Sequence, residues 1–157
     1  MKKIPLPHLL ITTGLGAGLF PYGPGTVGAL FAILVWYLTT LFFGYTAWMV
    51  ITLLLVLVFT FIGAWSSSIA ERYWGEDPSR VVIDEVVGQW IALLAVPAAF
   101  SWWHVLAAFI LFRFFDITKP LGVRKMEQFK GGWGIMADDI LAGCYSALIL
   151  FLFSCIQ

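Results

Sequence analysis

Apolar residues run through this chain in long blocks, separated by a few short polar clusters. A helix crossing a bilayer core needs about 20 mostly apolar residues. Segments 27–43, 46–65 and 140–156 fit that pattern and are apolar all round, as suits lipid or bundle packing. A short uncharged turn at Gly44 joins the first two, and Tyr45, Trp48 and Trp65 flank the second as interfacial aromatics do. From Val86 to Phe112 there is again no charge. Pro97 disfavours one unbroken helix there, and Trp102, Trp103 and His104 mark a water interface. The pattern therefore predicts two helices, 81–99 and 103–119, each short for a crossing at roughly 28 Å or less. The expected fold is an all-α polytopic membrane protein, a single domain over residues 1–157 built as a bundle of about five transmembrane helices.

The segment before the first span is different. TTGLGAGLFPYGPGTVG, residues 12–28, holds six glycines and two prolines and no charge, so it cannot be regular helix throughout. It reads as a re-entrant turn, as an interfacial linker, or as a backbone cradle for an anion. In the last case Gly25 and Thr26, at the mouth of the following helix, are the candidate phosphate contacts. It is no nucleotide P-loop, because the Gly-Lys-Ser/Thr ending is absent.

Composition agrees with the membrane class: the chain is 61% hydrophobic and 11% charged, against about a quarter charged in soluble domains. Nine basic and nine acidic residues cancel, so there is no basic footprint for nucleic acid. The expected partner is the lipid bilayer; the oligomeric state stays open. The Met1-Lys2-Lys3 start leads into prolines and glycines rather than the apolar core of a secretory signal. Cys144 and Cys155 are too far apart along a helix to bridge and read as buried, inert thiols.

The charges are placed very unevenly. Between Lys3 and Glu71 there is none, and the rest fall in 71–85, 113–130 and 138–139. With five crossings and a cytoplasmic N-terminus, every one of them returns to the cytoplasmic face. Arg72, Arg80, Lys119, Arg124, Lys125 and Lys130 then obey the positive-inside tendency. Asp84 and Glu85 open one helix, Arg113 and Asp116 close the next, and Asp138 and Asp139 open the last. Charges inside spans are rare and mark ion or substrate paths by default. Arg113 and Lys119 can each offset one acid, and a hard divalent ion such as Mg²⁺, which takes oxygen ligands, would neutralise the excess. The competing bland reading is that these acids complement helix N-termini. Gly88 and Gly143 lie four residues beyond Asp84 and Asp139, where small residues let helices approach closely.

No thiol, histidine or serine nucleophile stands out: neither cysteine has Arg or His nearby, His8 and His104 fall on opposite sides, and Ser66-Ser67-Ser68 reads as a helix end. Acids, two bases and a phosphate-binding backbone remain. That inventory suits metal-assisted phosphoryl hydrolysis.

The blocks GLGAGLFPYGPGTVGAL, DEVVGQWIAL, FRFFDITKPLGVR and GGWGIMADDILAG, between about residues 13 and 146, resemble the signature blocks of the phosphatidylglycerophosphatase A family in their expected order. Where that family often has Trp-Pro after the Lys-Pro pair, this chain has Leu121-Gly122. The resemblance implies a multi-pass protein of the bacterial inner membrane with a cytoplasmic-facing active site. It implies Mg²⁺-dependent conversion of a membrane phospholipid, phosphatidylglycerophosphate, to phosphatidylglycerol and inorganic phosphate. Carried over to this chain, the catalytic candidates are Asp84, Glu85, Arg113, Asp116, Lys119, Asp138 and Asp139. Asp84, Asp116, Asp138 and Asp139 are expected to hold the metal, with Glu85 orienting or deprotonating water. Arg113 and Lys119 are the expected phosphate partners. Asp84 or Asp138 as a covalent nucleophile is an open variant. The rival from another class is a small ion- or proton-coupled transporter, which predicts polar residues through the whole bilayer thickness.

Overall fold

The structure is a computed structural model and describes residues 4–155. Among them the chain is all-helical: α1 (Leu6–Thr12), a 3₁₀ turn (Ala17–Leu19), α2 (Pro24–Phe42), α3 (Tyr45–Trp74), α4 (Ile83–Leu93), α5 (Trp102–Thr118), α6 (Val123–Met126) and α7 (Gly132–Ser154). Three helices, α2, α3 and α7, are long and apolar enough to cross a membrane. The expected five thus divides into three full-length spans and two shorter helices: α4 has 11 residues and α5 has 17, about 17 Å and 26 Å of rise.

The long helices place many small residues inside and most large ones outside, with Trp36, Trp48 and Met136 among the buried exceptions. On α2, Gly25, Gly28, Ala29 and Ala32 are buried while Leu30, Leu34, Leu38 and Leu41 are exposed. Lipid tails are as apolar as leucine, so burying Leu gains little, whereas small residues let backbones come close enough to pack. α4 sits at the centre of this arrangement, against α2, α3, α5 and α7. Eight of its 11 residues are buried. Gly88 and Gly143 make the α4–α7 approach possible. A Cβ on Gly88 would come within 2.6 Å of the Asp139 carbonyl, and one on Gly143 would collide with the Gly88 carbonyl.

Several boundaries differ from the sequence expectation for identifiable reasons. α3 runs nine residues beyond the expected end and takes Ser66–Ser68 into its interior; Ser68 Oγ donates to the Ala64 carbonyl, and Gly75 at φ 92° stops the helix. α7 starts eight residues early, because Gly132 seats directly against the Ala64 carbonyl and its N–H donates to Ser68 Oγ at 2.8 Å. Asp138 and Asp139 therefore lie in its second turn rather than opening it. The α4–α5 break at Pro97 is present, closed by a reciprocal cap in which Ser101 N–H donates to His104 Nδ1. The cysteines expected to be buried are both exposed on the outer face of α7 and at its end. Lys2, Lys3 and Ile156 fall outside the described residues.

The glycine-rich connection folds back onto the segment preceding α4. Val82 N–H donates to the Thr12 carbonyl at 2.8 Å, and Gly18 is so close to the Arg80 carbonyl that no side chain fits. The connection thereby anchors the start of α4.

Candidate active site

At one end of the bundle a cavity of about 950 Å³ opens where α2, α4 and α7 begin and where α3 and α5 end. All nine acidic residues of the chain line it: Glu71, Glu76, Asp77, Asp84, Glu85, Asp116, Glu127, Asp138 and Asp139. Arg113, Lys119 and Lys130 are the cationic side chains in the same wall. Every one of the seven catalytic candidates read from the sequence is present here. Gly25 lines the cavity too; Thr26 does not.

The deepest acids come from the two helices joined at Gly88. Asp84 and Glu85 in the first turn of α4, and Asp139 on α7, each offer a carboxylate oxygen, and these atoms lie within 4.8 Å of one another. Carboxylates held so close need a counter-ion or a shared proton, and the local bases are already committed. Arg113 Nη1 donates to Asp116 Oδ2 at 2.5 Å within the last two turns of α5. Lys119 Nζ donates to Asp138 Oδ2 and Glu127 Oε1, each at 2.6 Å. Asp84 Oδ1, Glu85 Oε2 and Asp138 Oδ1 are buried without any hydrogen-bond partner. Buried polar atoms are almost always paired, and an oxygen-lined site with unpartnered carboxylates suits a hard divalent cation. The residues present therefore fit Mg²⁺.

The trio differs from the expected metal set. Glu85, assigned to water, joins Asp84 and Asp139, whereas Asp116 and Asp138 are each engaged by a base. Which carboxylates on α4, α5 and α7 converge depends on how far each helix is rotated, and spacing within one helix does not give that.

Lys119 is positioned by the backbone. It caps α5 in the left-handed region at φ 47°, uncommon for a residue with a side chain. Pro120 prevents α5 from continuing, and the turn at Lys119 brings the ammonium to the cavity wall, where it meets Asp138. Burial would lower its pKa, but hydrogen bonds to Asp138 and Glu127 outweigh that and hold it above the usual lysine value. The group stays charged. Sequence reasoning missed Glu127 as its second partner: the two are eight residues apart, across a loop turned by Leu121 and Gly122 at positive φ, with no helical period to connect them.

The glycines of the 12–28 segment contribute space. At Gly25 a Cβ would collide with Glu85 Oε1 and come within 3.2 Å of Arg113 Nη1, so the absent side chain lets α2 close one wall.

A family model described as phosphatidylglycerophosphatase A matches residues 10–154. A Bacteroides thetaiotaomicron protein named putative phosphatidylinositol-3-phosphatase is 54% identical over 151 residues, covering 96% of this chain and 95% of that protein. The phosphatidylglycerophosphatase A of Escherichia coli K12 is 39% identical over 151 residues, covering 95% of this chain and 84% of its own length. That of Haemophilus influenzae is 37% identical over 155 residues, covering 96% and 92%. No solved structure matches the chain.

Proposed function

This chain belongs to the phosphatidylglycerophosphatase A family of phosphatases, and on that premise we propose that it is a Mg²⁺-dependent lipid phosphatase. It hydrolyses phosphatidylglycerophosphate to phosphatidylglycerol and inorganic phosphate at the cytoplasmic face of the bacterial inner membrane. The observation that carries this reading is the gathering of every acidic residue around one cavity, with three carboxylates meeting at its floor. A phosphomonoester is itself an anion and cannot approach such a wall uncompensated. α4 and α5 are read as a pair of short crossings shielded by the longer helices, which keeps the acids of α4, α5 and α7 at one membrane face.

Asp84, Glu85 and Asp139 would hold the cation, with Asp116 and Asp138 beside them. When bound, the cation supplies Lewis-acid compensation for the phosphoryl oxygens and lowers the pKa of water. Arg113 and Lys119 bind and orient the phosphate. Each is fixed by its acid partner, so little conformational freedom is lost when substrate arrives. Asp138 gives one oxygen to Lys119 and keeps the other unpartnered, which suits it to take the proton from an attacking water. The acyl chains remain among the lipids while the headgroup reaches the cavity.

Phosphate release from phosphatidylglycerophosphate by detergent-purified protein is expected to stop with EDTA and return with Mg²⁺; release unaffected by EDTA removes the cation. Trapping with hydroxylamine or borohydride during a single turnover distinguishes the covalent variant, because only an aspartyl-phosphate is an acyl phosphate that these reagents convert at the carboxylate. The second reading is a phosphoinositide substrate, favoured by the name of the 54%-identical Bacteroides relative. Parallel assays with phosphatidylinositol 3-phosphate decide between them: the substrate with the higher kcat/KM is the one the cavity serves.

A further inference from the structure

Gln89 is a buried amide that nothing satisfies. It lies on α4, is 0% exposed, and neither its Nε2 nor its Oε1 has a hydrogen-bond partner. Buried amides left unpaired destabilise a fold, so a retained one calls for a use. The cavity wall does not include Gln89, so the substrate is not its partner.

Two other orphaned atoms complement it. Glu85 Oε2 is a buried acceptor without a donor, and Arg113 Nε is a buried donor without an acceptor. Glu85 precedes Gln89 by four residues, which puts both on one face of α4, a single turn apart. Long helical side chains favour rotamers directed toward the preceding turn, which for Gln89 is the turn that carries Glu85, although the two are not hydrogen-bonded in this structure. Arg113 meets the same face at Gly25, where an added Cβ would approach both Glu85 Oε1 and Arg113 Nη1. Asp116 engages Arg113 through Nη1 and leaves Nε available. A glutamine amide offers a donor for a carboxylate and an acceptor for a guanidinium N–H.

We propose that Gln89 is a positioning residue, its Nε2–H donating to Glu85 and its Oε1 accepting from Arg113 Nε in the substrate-bound protein. The amide then ties an acid of the cavity floor to the cation that holds phosphate, although Gln89 touches neither metal nor lipid. The inference rests on the cavity being the active site.

The test is Gln89→Met, of similar volume and apolar, in detergent-purified protein. Turnover is expected to fall about tenfold or more, as is usual when the support of a ligand is lost. KM should stay within about threefold, and the melting temperature of metal-free protein should be unchanged or higher, because two unpaired atoms are gone. Gln89→Asn, which keeps the amide on a shorter arm, should recover part of the loss. Wild-type turnover in Gln89→Met, or a fall in melting temperature with turnover per folded molecule intact, overturns the proposal. An Asn variant no better than Met does the same. Mn²⁺ binding followed by electron paramagnetic resonance separates the two layers of inference. Wild-type protein that turns over without binding Mn²⁺ sinks the cation reading, while the Met and Asn results judge Gln89 on their own.

Discussion

The two ends of the bundle are closed by opposite chemistries. At one end Trp36, Trp48 and Phe100 meet edge to face or tilted, with ring centroids 4.7 Å, 5.3 Å and 6.1 Å apart, and Tyr37 and Trp102 add a further pair at 5.0 Å. Among the described residues, no Asp, Glu, Lys or Arg belongs to that end. At the other, all nine acids surround one cavity, and several buried oxygens have no partner. The aromatic end contributes packing, whereas the acidic end gives up packing and electrostatic comfort for a place where charge can be handled. A transporter would carry polar groups between the ends. Here the buried polar side chains between the ends are few: Gln89, and the hydroxyls of Ser146 and Thr52, which donate to carbonyls of their own helices.

Substitution at the acidic floor should separate the ends most sharply. Asp139→Asn removes one carboxylate of the trio and is expected to cost at least about a hundredfold in turnover, because direct ligands matter more than the groups supporting them. Melting temperature should hold or rise as like-charge repulsion falls. Full turnover in this variant would place the chemistry elsewhere.

That floor was legible because a carboxylate in an apolar run is conspicuous: Asp84, Glu85, Asp116, Asp138 and Asp139 stand out by position alone. The close helix approach at Gly88 and Gly143 was visible for the same reason. Less visible was the start of α7, eight residues before the expected span, at Gly131, Gly132 and Gly134. Their absent side chains seat the helix against α3 and against the Phe129 carbonyl. Nor could spacing reveal that the Glu85 carboxylate lies beside those of Asp84 and Asp139 while Asp116 and Asp138 pair with bases, which depends on the relative rotation of α4, α5 and α7.

Gly88→Ala tests the contact that holds the floor together. Its Cβ would press on Phe112 and the Asp139 carbonyl, so α4 and α7 must part. Overpacking of this kind costs about 1–3 kcal/mol. It should lower both melting temperature and turnover, roughly tenfold for the latter, since misplacement by an ångström is enough to impair catalysis. A variant with wild-type kinetics would show that the trio does not need this spacing.

Trp36→Ala addresses the aromatic end. Loss of a buried indole should destabilise the protein by about 3 kcal/mol, read as a lower melting temperature in detergent. Turnover per folded molecule should change less than twofold. A large kinetic effect would mean that the ends are coupled, contrary to the division drawn above. Smallest of all should be Leu34→Ala on the outer face of α2, within about 0.5 kcal/mol and silent in the assay.

The brevity of α4 bears on how the protein is made. Eleven residues with two acids in the first turn offer a translocation channel little reason to release them sideways into lipid. α4 must therefore shelter beside α2 and α3, which are already inserted, and pair with α5 as a hairpin. It gains its last neighbour only when α7 emerges from the ribosome. A nascent chain stopped before residue 132 would leave this helix without a wall, exposed to quality-control proteolysis until synthesis resumes.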